Sequence, residues 1–138
     1  MNNEVKIIFP GKSCNEKLAR SIVSAFVLDI DPTAEKLTEL KTAVSEAVTN
    51  AIIHAYPEEN GYVTMTCIRD GDIIEVIVSD EGCGIENIKK AMEPLYTSSP
   101  ETERSGMGFT VMEAFTDGVV VESTVGGGTT VKMKKCMK

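Results

Sequence analysis

The chain has 138 residues, of which 42% are hydrophobic and 25% are charged, and its formal net charge is -7. This balance excludes a disordered or fibrous protein and predicts one compact domain over residues 1–138. The acidic charge argues against direct binding of nucleic acid, and the sequence has neither a run long enough to span a membrane nor an apolar leader. We therefore expect a cytoplasmic protein with protein or small-molecule partners. The four cysteines lack metal or redox spacing and are expected to be free thiols.

The start of the chain predicts one strand followed by a helix. Residues 4–10 alternate in polarity up to a Pro-Gly breaker, which favours a strand. The helix that follows is predicted to be capped by Ser13 or Asn15, with Arg20 lying off its apolar face. That apolar face is predicted to contain Leu18, Ile22, Ala25 and Phe26.

A second, longer helix starts at residues 31–33 and must stop before Pro57, because a residue that precedes proline avoids helical geometry. Its buried stripe is predicted to be Leu37, Leu40, Val44, Ala47, Val48 and Ala51. Glu46 and Asn50 are four residues apart and project together from another side of this helix. A carboxylate there could take a proton. An amide oxygen could bind one Mg²⁺ whose coordination shell is completed by phosphate oxygens and water. The alternative is a pair of exposed polar residues.

The second half of the chain predicts two hairpins. Their strands are residues 62–69 with 73–79, and residues 119–123 with 129–135. Between the hairpins, residues 88–92 predict a weak helix, residues 93–105 predict a long surface loop, and another helix begins at Gly108. This order predicts an α+β two-layer sandwich. Its mixed, mainly antiparallel sheet would carry the helices on one face and leave the other face for solvent or a partner.

Three glycine-rich segments are candidates for ligand contact. Asp80 ends an apolar strand before residues 81–84, where it could accept a hydrogen bond from an exocyclic amine while the glycines admit a flat ligand. Gly106 and Gly108 precede a helix, whose N–H groups favour phosphate. Residues 126–130 carry hydroxyls that could reach a bound base. Taken singly, the segments are also compatible with an Asp-Gly turn, a hinge and a hairpin loop.

The joint order of these motifs is more specific than any one of them. E-x-x-x-N on a helix, D-x-G-x-G after a strand, a long loop, G-x-G before a helix and G-x-T follow one another along the chain. In this order the sequence resembles the GHKL ATP-binding superfamily, which includes histidine kinase catalytic domains, gyrase and MutL. Residues 45–54 (SEAVTNAIIH) and 103–109 (ERSGMGF) are further similar to the serine kinases that act as anti-sigma factors in sporulation. The resemblance covers nearly the whole chain and implies a Bergerat-type ATP-binding sandwich.

The resemblance implies a role for each motif. Asn50 would bind Mg²⁺, Asp80 would recognise the adenine amine of ATP, and Thr130 would support the base. Glu46 would be the general base toward a substrate serine. Arg104 would stabilise charge on the terminal phosphate, with a surface ion pair as its alternative. The other residues expected at the nucleotide are Gly82, Gly84, Thr97, Ser98, Gly106, Met107, Gly108 and Phe109.

The resemblance also implies partners. A homodimer would bind and inhibit an RNA polymerase sigma factor and phosphorylate a serine on the anti-anti-sigma protein that competes for it. Arg20 is a candidate partner-binding residue because its helix turns it outward, and a solvated arginine is the alternative. His54, the single histidine, is expected to be structural. Two other classes stay open: a nucleotide-gated binding module without catalysis, and an interaction domain whose melting temperature Mg·ATP would not raise.

Overall fold

The computed structural model describes residues 2–56, 60–82, 108–124 and 126–138. In these ranges the strands are β1 (Asn2–Pro10), β2 (Tyr62–Asp70), β3 (Ile73–Asp80), β4 (Gly118–Thr124) and β5 (Gly128–Cys136). The helices are α1 (Asn15–Phe26), α2 (Ala34–Asn50) and α3 (Gly108–Phe115), with a 3₁₀ turn at Leu28–Ile30 and a π-helical turn at Ala51–Ala55. No helix in this part of the chain is long and apolar enough to cross a membrane.

The strands form one antiparallel sheet in the order β1-β2-β3-β5-β4. Side chains alternate between its two faces, so that Val63, Met65 and Cys67 of β2 are buried while Tyr62 is 64% exposed. Each of the three helices contacts a strand, and α2 also contacts the other two helices. Helices therefore cover one face of the sheet, which confirms the predicted α+β sandwich.

Helix α2 is positioned by a cap at its start and by apolar packing along its length. The Oγ1 atom of Thr33 accepts a hydrogen bond from the N–H of Lys36 over 3.2 Å, which satisfies one free donor of the first turn. The predicted stripe is confirmed by the full burial of Leu40, Val44, Ala47 and Val48. The helical path then continues through the π-helical turn to Ala55, as the position of Pro57 predicts.

Helix α1 corrects two of the predictions. Its N-cap is Cys14, without a side-chain hydrogen bond, so neither Ser13 nor Asn15 caps it. The buried positions are Ala19 and Val23. Of the predicted face, Ile22 and Phe26 pack against the core, whereas Leu18 and Ala25 are exposed. The covered face therefore lies partly around the helix from the predicted one, because α1 contacts both α2 and β2.

A buried ammonium group ties α3 to α2. Lys135 is only 7% exposed, and its Nζ donates to the carbonyl oxygen of Phe115 over 2.8 Å and to Oε1 of Glu39 over 3.1 Å. Phe115 is the last residue of α3, so the contact satisfies a carbonyl that the helix itself leaves without a donor.

The cysteines that the structure describes are free, as predicted. They are Cys14, Cys67 and Cys136, whereas Cys83 lies outside the described residues. Burial raises the pKa of Cys67 to about 12, so that its thiol stays protonated. Cys67 therefore packs as a small apolar side chain in the sheet.

Candidate functional site

Asp80 ends β3 and is held as an oriented acceptor. Its Oδ1 accepts hydrogen bonds from the backbone N–H of Gly82 over 3.0 Å and of Thr129 over 3.2 Å. Among the described residues, both hydrogen bonds to this carboxylate end on Oδ1. Oδ2 is therefore the oxygen that can accept a hydrogen bond from a ligand.

Burial raises the pKa of Asp80 above its ordinary value of 3.8. The backbone hydrogen bonds from Gly82 and Thr129 act in the opposite direction, as does the charge of His54, because each favours the ionised carboxylate. The result is a half-buried carboxylate that two backbone hydrogen bonds hold through one of its oxygens. Such a group suits recognition of a ligand N–H.

Asn50 and Gly108 come together from separate parts of the chain. Asn50 is the last residue of α2, and Gly108 is the first residue of α3. A Cβ atom on Gly108 would stand 2.9 Å from Nδ2 and 3.3 Å from Oδ1 of Asn50, so a larger residue there would displace the amide. The structure thus places the predicted magnesium ligand against the start of a helix, where anions are favoured. Phe109, the next residue, is half-buried against the core.

The turn after α2 packs on the end of β3. The Tyr56 hydroxyl accepts a hydrogen bond from the backbone N–H of Glu81 over 2.7 Å. Gly82 lies against Ala55, and a Cβ on Gly82 would collide with that residue. Together with the influence of the His54 charge on Asp80, these contacts place the end of α2 beside the carboxylate. Two of the predicted motifs are therefore neighbours in the fold.

The two threonines at the start of β5 face opposite sides of the sheet. In the strand register Asp80 is paired with Thr129, and Ser79 is paired with Thr130. The hydroxyl oxygens of Ser79 and Thr130 are 3.1 Å apart. Since Val131 is buried beneath the helices, alternation puts Thr129 on the same face as Asp80 and Thr130 on the other. This register corrects the expectation that Thr130 supports the base. Residues 126–130 were expected to bring hydroxyls to the base, and the pairing with β3 selects Thr129 over Thr130.

Gly128 allows β5 to begin next to Asp80. Its φ is +89°, and a Cβ on it would collide with the carbonyl oxygen of Asp80 and stand 2.8 Å from Cα of Glu81. Both the backbone conformation and the close approach require glycine. The third glycine-rich segment therefore holds the backbone N–H of Thr129 within reach of the Asp80 carboxylate.

A groove of about 780 Å³ runs between α1 and α2. The residues that line this α1–α2 groove include Glu16, Arg20, Ser45, Glu46, Thr49 and Ile53. Oε1 of Glu16 accepts a hydrogen bond from the Ser45 hydroxyl and lies 3.0 Å from Nε of Arg20. Side chains from both helices are thus linked across the floor of the groove.

Arg20 is less exposed than its helical position predicts. Its side chain is 37% exposed and its Nε is buried, with Glu16 one turn earlier as an ion-pair partner rather than a well-aligned hydrogen-bond acceptor. The part-exposed side chain lies along the groove, and the role of Arg20 in partner binding stays a prediction. The same groove contains Glu46, the predicted general base.

The residues present fit a magnesium ion held mainly by a nucleotide. Within the described ranges, no group of three or more His, Cys, Asp or Glu side chains is arranged to hold a metal ion. Mg²⁺ at nucleotide sites commonly takes one or two protein oxygens, and phosphates and water complete its shell. The amide of Asn50, placed against the start of α3, matches that arrangement.

Several predicted site residues lie outside the described residues. They are Gly84, Thr97, Ser98, Arg104, Gly106 and Met107. The predicted helix at 88–92 and the predicted loop at 93–105 lie outside them as well.

The model of the histidine kinase-like ATPase domain family matches residues 9–135. The chain belongs to this family. Among curated relatives, the anti-sigma F factor of Geobacillus thermodenitrificans (strain NG80-2) is 55% identical over 136 residues, which are 98% of this chain and 93% of that protein. The anti-sigma F factor of Clostridium acetobutylicum is 53% identical over 135 residues, covering 98% and 94%. These matches confirm the resemblance that the motifs indicate.

Solved structures agree with this assignment of the fold. The crystal structure of the RsbU and RsbW domains of a Mycobacterium tuberculosis protein matches with a TM-score of 0.69 at 18% identity, covering 96% of this chain and 32% of that one. The catalytic domain of histidine kinase ThkA matches with a TM-score of 0.60 at 16% identity, covering 96% of each chain. At these identities the two structures show the fold alone.

Proposed function

We propose that the protein is an ATP-dependent anti-sigma factor with serine kinase activity. It binds and inhibits an RNA polymerase sigma factor of the sigma F type that controls sporulation, and it phosphorylates a serine of the anti-anti-sigma antagonist. The observation that carries the proposal is the Asp80 carboxylate, fixed on Oδ1 beside the end of α2. The family match and the anti-sigma F relatives support it.

The nucleotide lies between the end of β3 and the starts of α3 and β5. Oδ2 of Asp80 accepts a hydrogen bond from the adenine amine, with Thr129 beside it on the same face of the sheet. The phosphates lie toward the first turn of α3, where Gly108 leaves space next to Asn50. The amide oxygen of Asn50 would hold Mg²⁺, which would supply positive charge near the phosphates.

Glu46 serves as the base for phosphate transfer. It precedes Asn50 by one helical turn, so its carboxylate lies on the side of α2 that carries the magnesium ligand. It takes the proton of the substrate serine as the serine oxygen bonds to the γ-phosphorus. The bond from that phosphorus to the β–γ bridging oxygen breaks, and ADP leaves with the electron pair. Arg104 is proposed to stabilise the charge on the transferred group.

The α1–α2 groove is the proposed docking surface for protein partners. It contains Arg20, whose guanidinium is positioned by Glu16, and it also contains Glu46. A partner segment that contacts Arg20 in this groove can therefore bring a serine to the base. The resemblance also implies that the protein acts as a homodimer, which we keep as part of the proposal.

The test is phosphate transfer from labelled ATP to purified anti-anti-sigma protein. Label is expected on a serine, and Glu46→Gln should slow the transfer by about a hundredfold or more. Mg·ATP should still raise the melting temperature of that variant, because Glu46 does not bind the adenine ring of the nucleotide. Glu35→Gln, an exposed glutamate in the first turn of the same helix, is the matched control and should retain transfer.

Two outcomes would replace this proposal. If no label is transferred but ATP tightens the complex with the sigma factor, the protein is a nucleotide-gated binding module. If Mg·ATP does not raise the melting temperature of the unchanged protein, the nucleotide site itself is excluded.

A further inference from the structure

Two pairs of hydroxyl groups lie on opposite faces of the sheet around Asp80. On the face that carries the Asp80 side chain, Oγ1 of Thr129 is 2.9 Å from Oγ of Ser123 on β4. On the other face, Oγ1 of Thr130 is 3.1 Å from Oγ of Ser79 on β3. Only the first pair shares a face with the proposed base-binding carboxylate.

The Ser123 hydroxyl contacts the carbonyl oxygen of Gly128 as well as the hydroxyl of Thr129. Ser123 donates a hydrogen bond to the carbonyl oxygen of Gly128 over 3.1 Å. A carbonyl oxygen can only accept, and a hydroxyl has a single proton to donate. In the 2.9 Å contact either hydroxyl could be the donor, and a Ser123 proton directed at Gly128 leaves the donor role to Thr129. In that arrangement the proton of Thr129 is directed at β4, and its oxygen presents lone pairs to a ligand.

This arrangement gives the site two neighbouring acceptors. The backbone N–H of Thr129 donates to Oδ1 of Asp80, so the Thr129 side chain stands next to the carboxylate. A ligand with an amino group, such as the 6-amino group of adenine, can donate to these acceptors. A purine with a 6-oxo group places an acceptor at the same position, so Asp80 and Thr129 are left without a donor from the ligand.

We propose that Ser123 is a specificity-determining positioning residue for the nucleotide site. Its hydroxyl holds Thr129 as a hydrogen-bond acceptor, and the site therefore selects 6-amino purines over 6-oxo purines. The inference rests on the proposed function, because it assigns a discriminating role within the same nucleotide site. Without Ser123, the Thr129 hydroxyl rotates and can donate to a 6-oxo group.

The experiment compares ADP with inosine diphosphate, which carries a 6-oxo group, by calorimetric titration of the intact protein. The unchanged protein should prefer ADP, and Ser123→Ala should lower the ratio of the two affinities by about tenfold. Ser79→Ala is the matched control, because it removes the equivalent hydroxyl from the outer face, and its ratio should not change. Thr129→Val removes the acceptor itself and should also lower the ratio, which provides a second variant if Ser123→Ala folds poorly.

The outcomes separate this inference from the proposed function. If the unchanged protein does not bind ADP, both fail. If it binds ADP and Ser123→Ala weakens both nucleotides equally, Ser123 has only a structural role and the inference is overturned. An equal loss of selectivity in Ser79→Ala would overturn it as well, because the effect would then not depend on the face that Asp80 occupies.

Discussion

Gly108 and Asn50 touch so closely that a methyl group on Gly108 would stand 2.9 Å from the amide nitrogen of Asn50. Through this contact the first residue of α3 limits the position of the last residue of α2. The proposed magnesium ligand and the proposed phosphate-binding turn are therefore coupled sterically. A change at one should be felt at the other.

Gly108→Ala tests this coupling. We expect the free energy of unfolding in urea to fall by about 1 kcal/mol, because overpacking outweighs the higher helix propensity of alanine. The rise in melting temperature caused by Mg·ATP should also shrink, since Asn50 is displaced. Gly118→Ala is the control, because no atom of the described residues, apart from its chain neighbours, lies within 4 Å of the added methyl group. Equal losses in both variants would exclude the steric coupling.

Asp80→Asn should separate stability from binding. Burial raises the pKa of Asp80 above 3.8, so the folded state holds the proton more tightly than the unfolded chain does. This contribution to stability is fully present when the pH is below the pKa of Asp80 in the unfolded chain. It is lost as the pH rises through the pKa of Asp80 in the folded protein. An asparagine has no such loss, and its Oδ1 can still accept from Gly82 and Thr129.

The melting temperature of Asp80→Asn relative to the unchanged protein should therefore increase from about pH 4 toward neutral pH, measured by thermal unfolding across that range. The same variant should lose stabilisation by Mg·ATP, because an amide nitrogen cannot accept from the adenine amine. Asp72→Asn, at the exposed hairpin, controls for the removal of one negative charge. A difference that does not vary with pH would contradict the role given to burial.

Lys135→Met should destabilise the fold. The change removes the donor to the carbonyl oxygen of Phe115 and leaves Glu39 without its buried partner. We expect a loss of about 1–3 kcal/mol in the free energy of urea unfolding.

The control for Lys135→Met is Lys132→Met, which breaks an exposed ion pair with Glu122 on the outer face of the sheet. Exposed pairs contribute less than about 1 kcal/mol, so its effect should be smaller. Comparable losses in the two variants would show that the burial of Lys135 has no energetic consequence.

Arg20→Gln tests the α1–α2 groove as the partner surface. Affinity for the sigma factor, measured by titration in the presence of ATP, should fall by about tenfold. Stabilisation by Mg·ATP should remain, because Arg20 is not part of the nucleotide site. Arg69→Gln removes an arginine paired with Asp29 that does not line the groove, and it should bind normally. Unchanged binding by Arg20→Gln would place the partner elsewhere.

Most secondary structure could be predicted from this sequence because its patterns are strong. Helix α2 was predicted with its buried stripe because six apolar positions repeat at helical spacing and Pro57 marks the end. In helix α1 the predicted face was only partly right: Ile22 and Phe26 pack against the core beside Ala19 and Val23, whereas Leu18 and Ala25 are exposed. Periodicity does not determine how far the covered face extends around a helix, because that depends on the elements that pack against it.

For the functional residues, too, the sequence predicted some features and the tertiary structure decided others. The order of the motifs in the sequence determined the family and the identities of Glu46, Asn50 and Asp80 as candidates. Only the tertiary structure decided between Thr129 and Thr130, because neighbouring residues on a strand face opposite sides and the pairing with β3 fixes which side meets Asp80.

The sequence by itself thus determined which chemical groups the protein has and in which elements they lie, because helical and strand periodicities are local properties. The tertiary structure decided which groups come together: Gly108 lies against Asn50, Thr129 donates to Asp80, and Arg20 and Glu46 line one groove. These meetings join residues far apart in the chain. They follow from strand register and from helix packing, which depend on the whole fold.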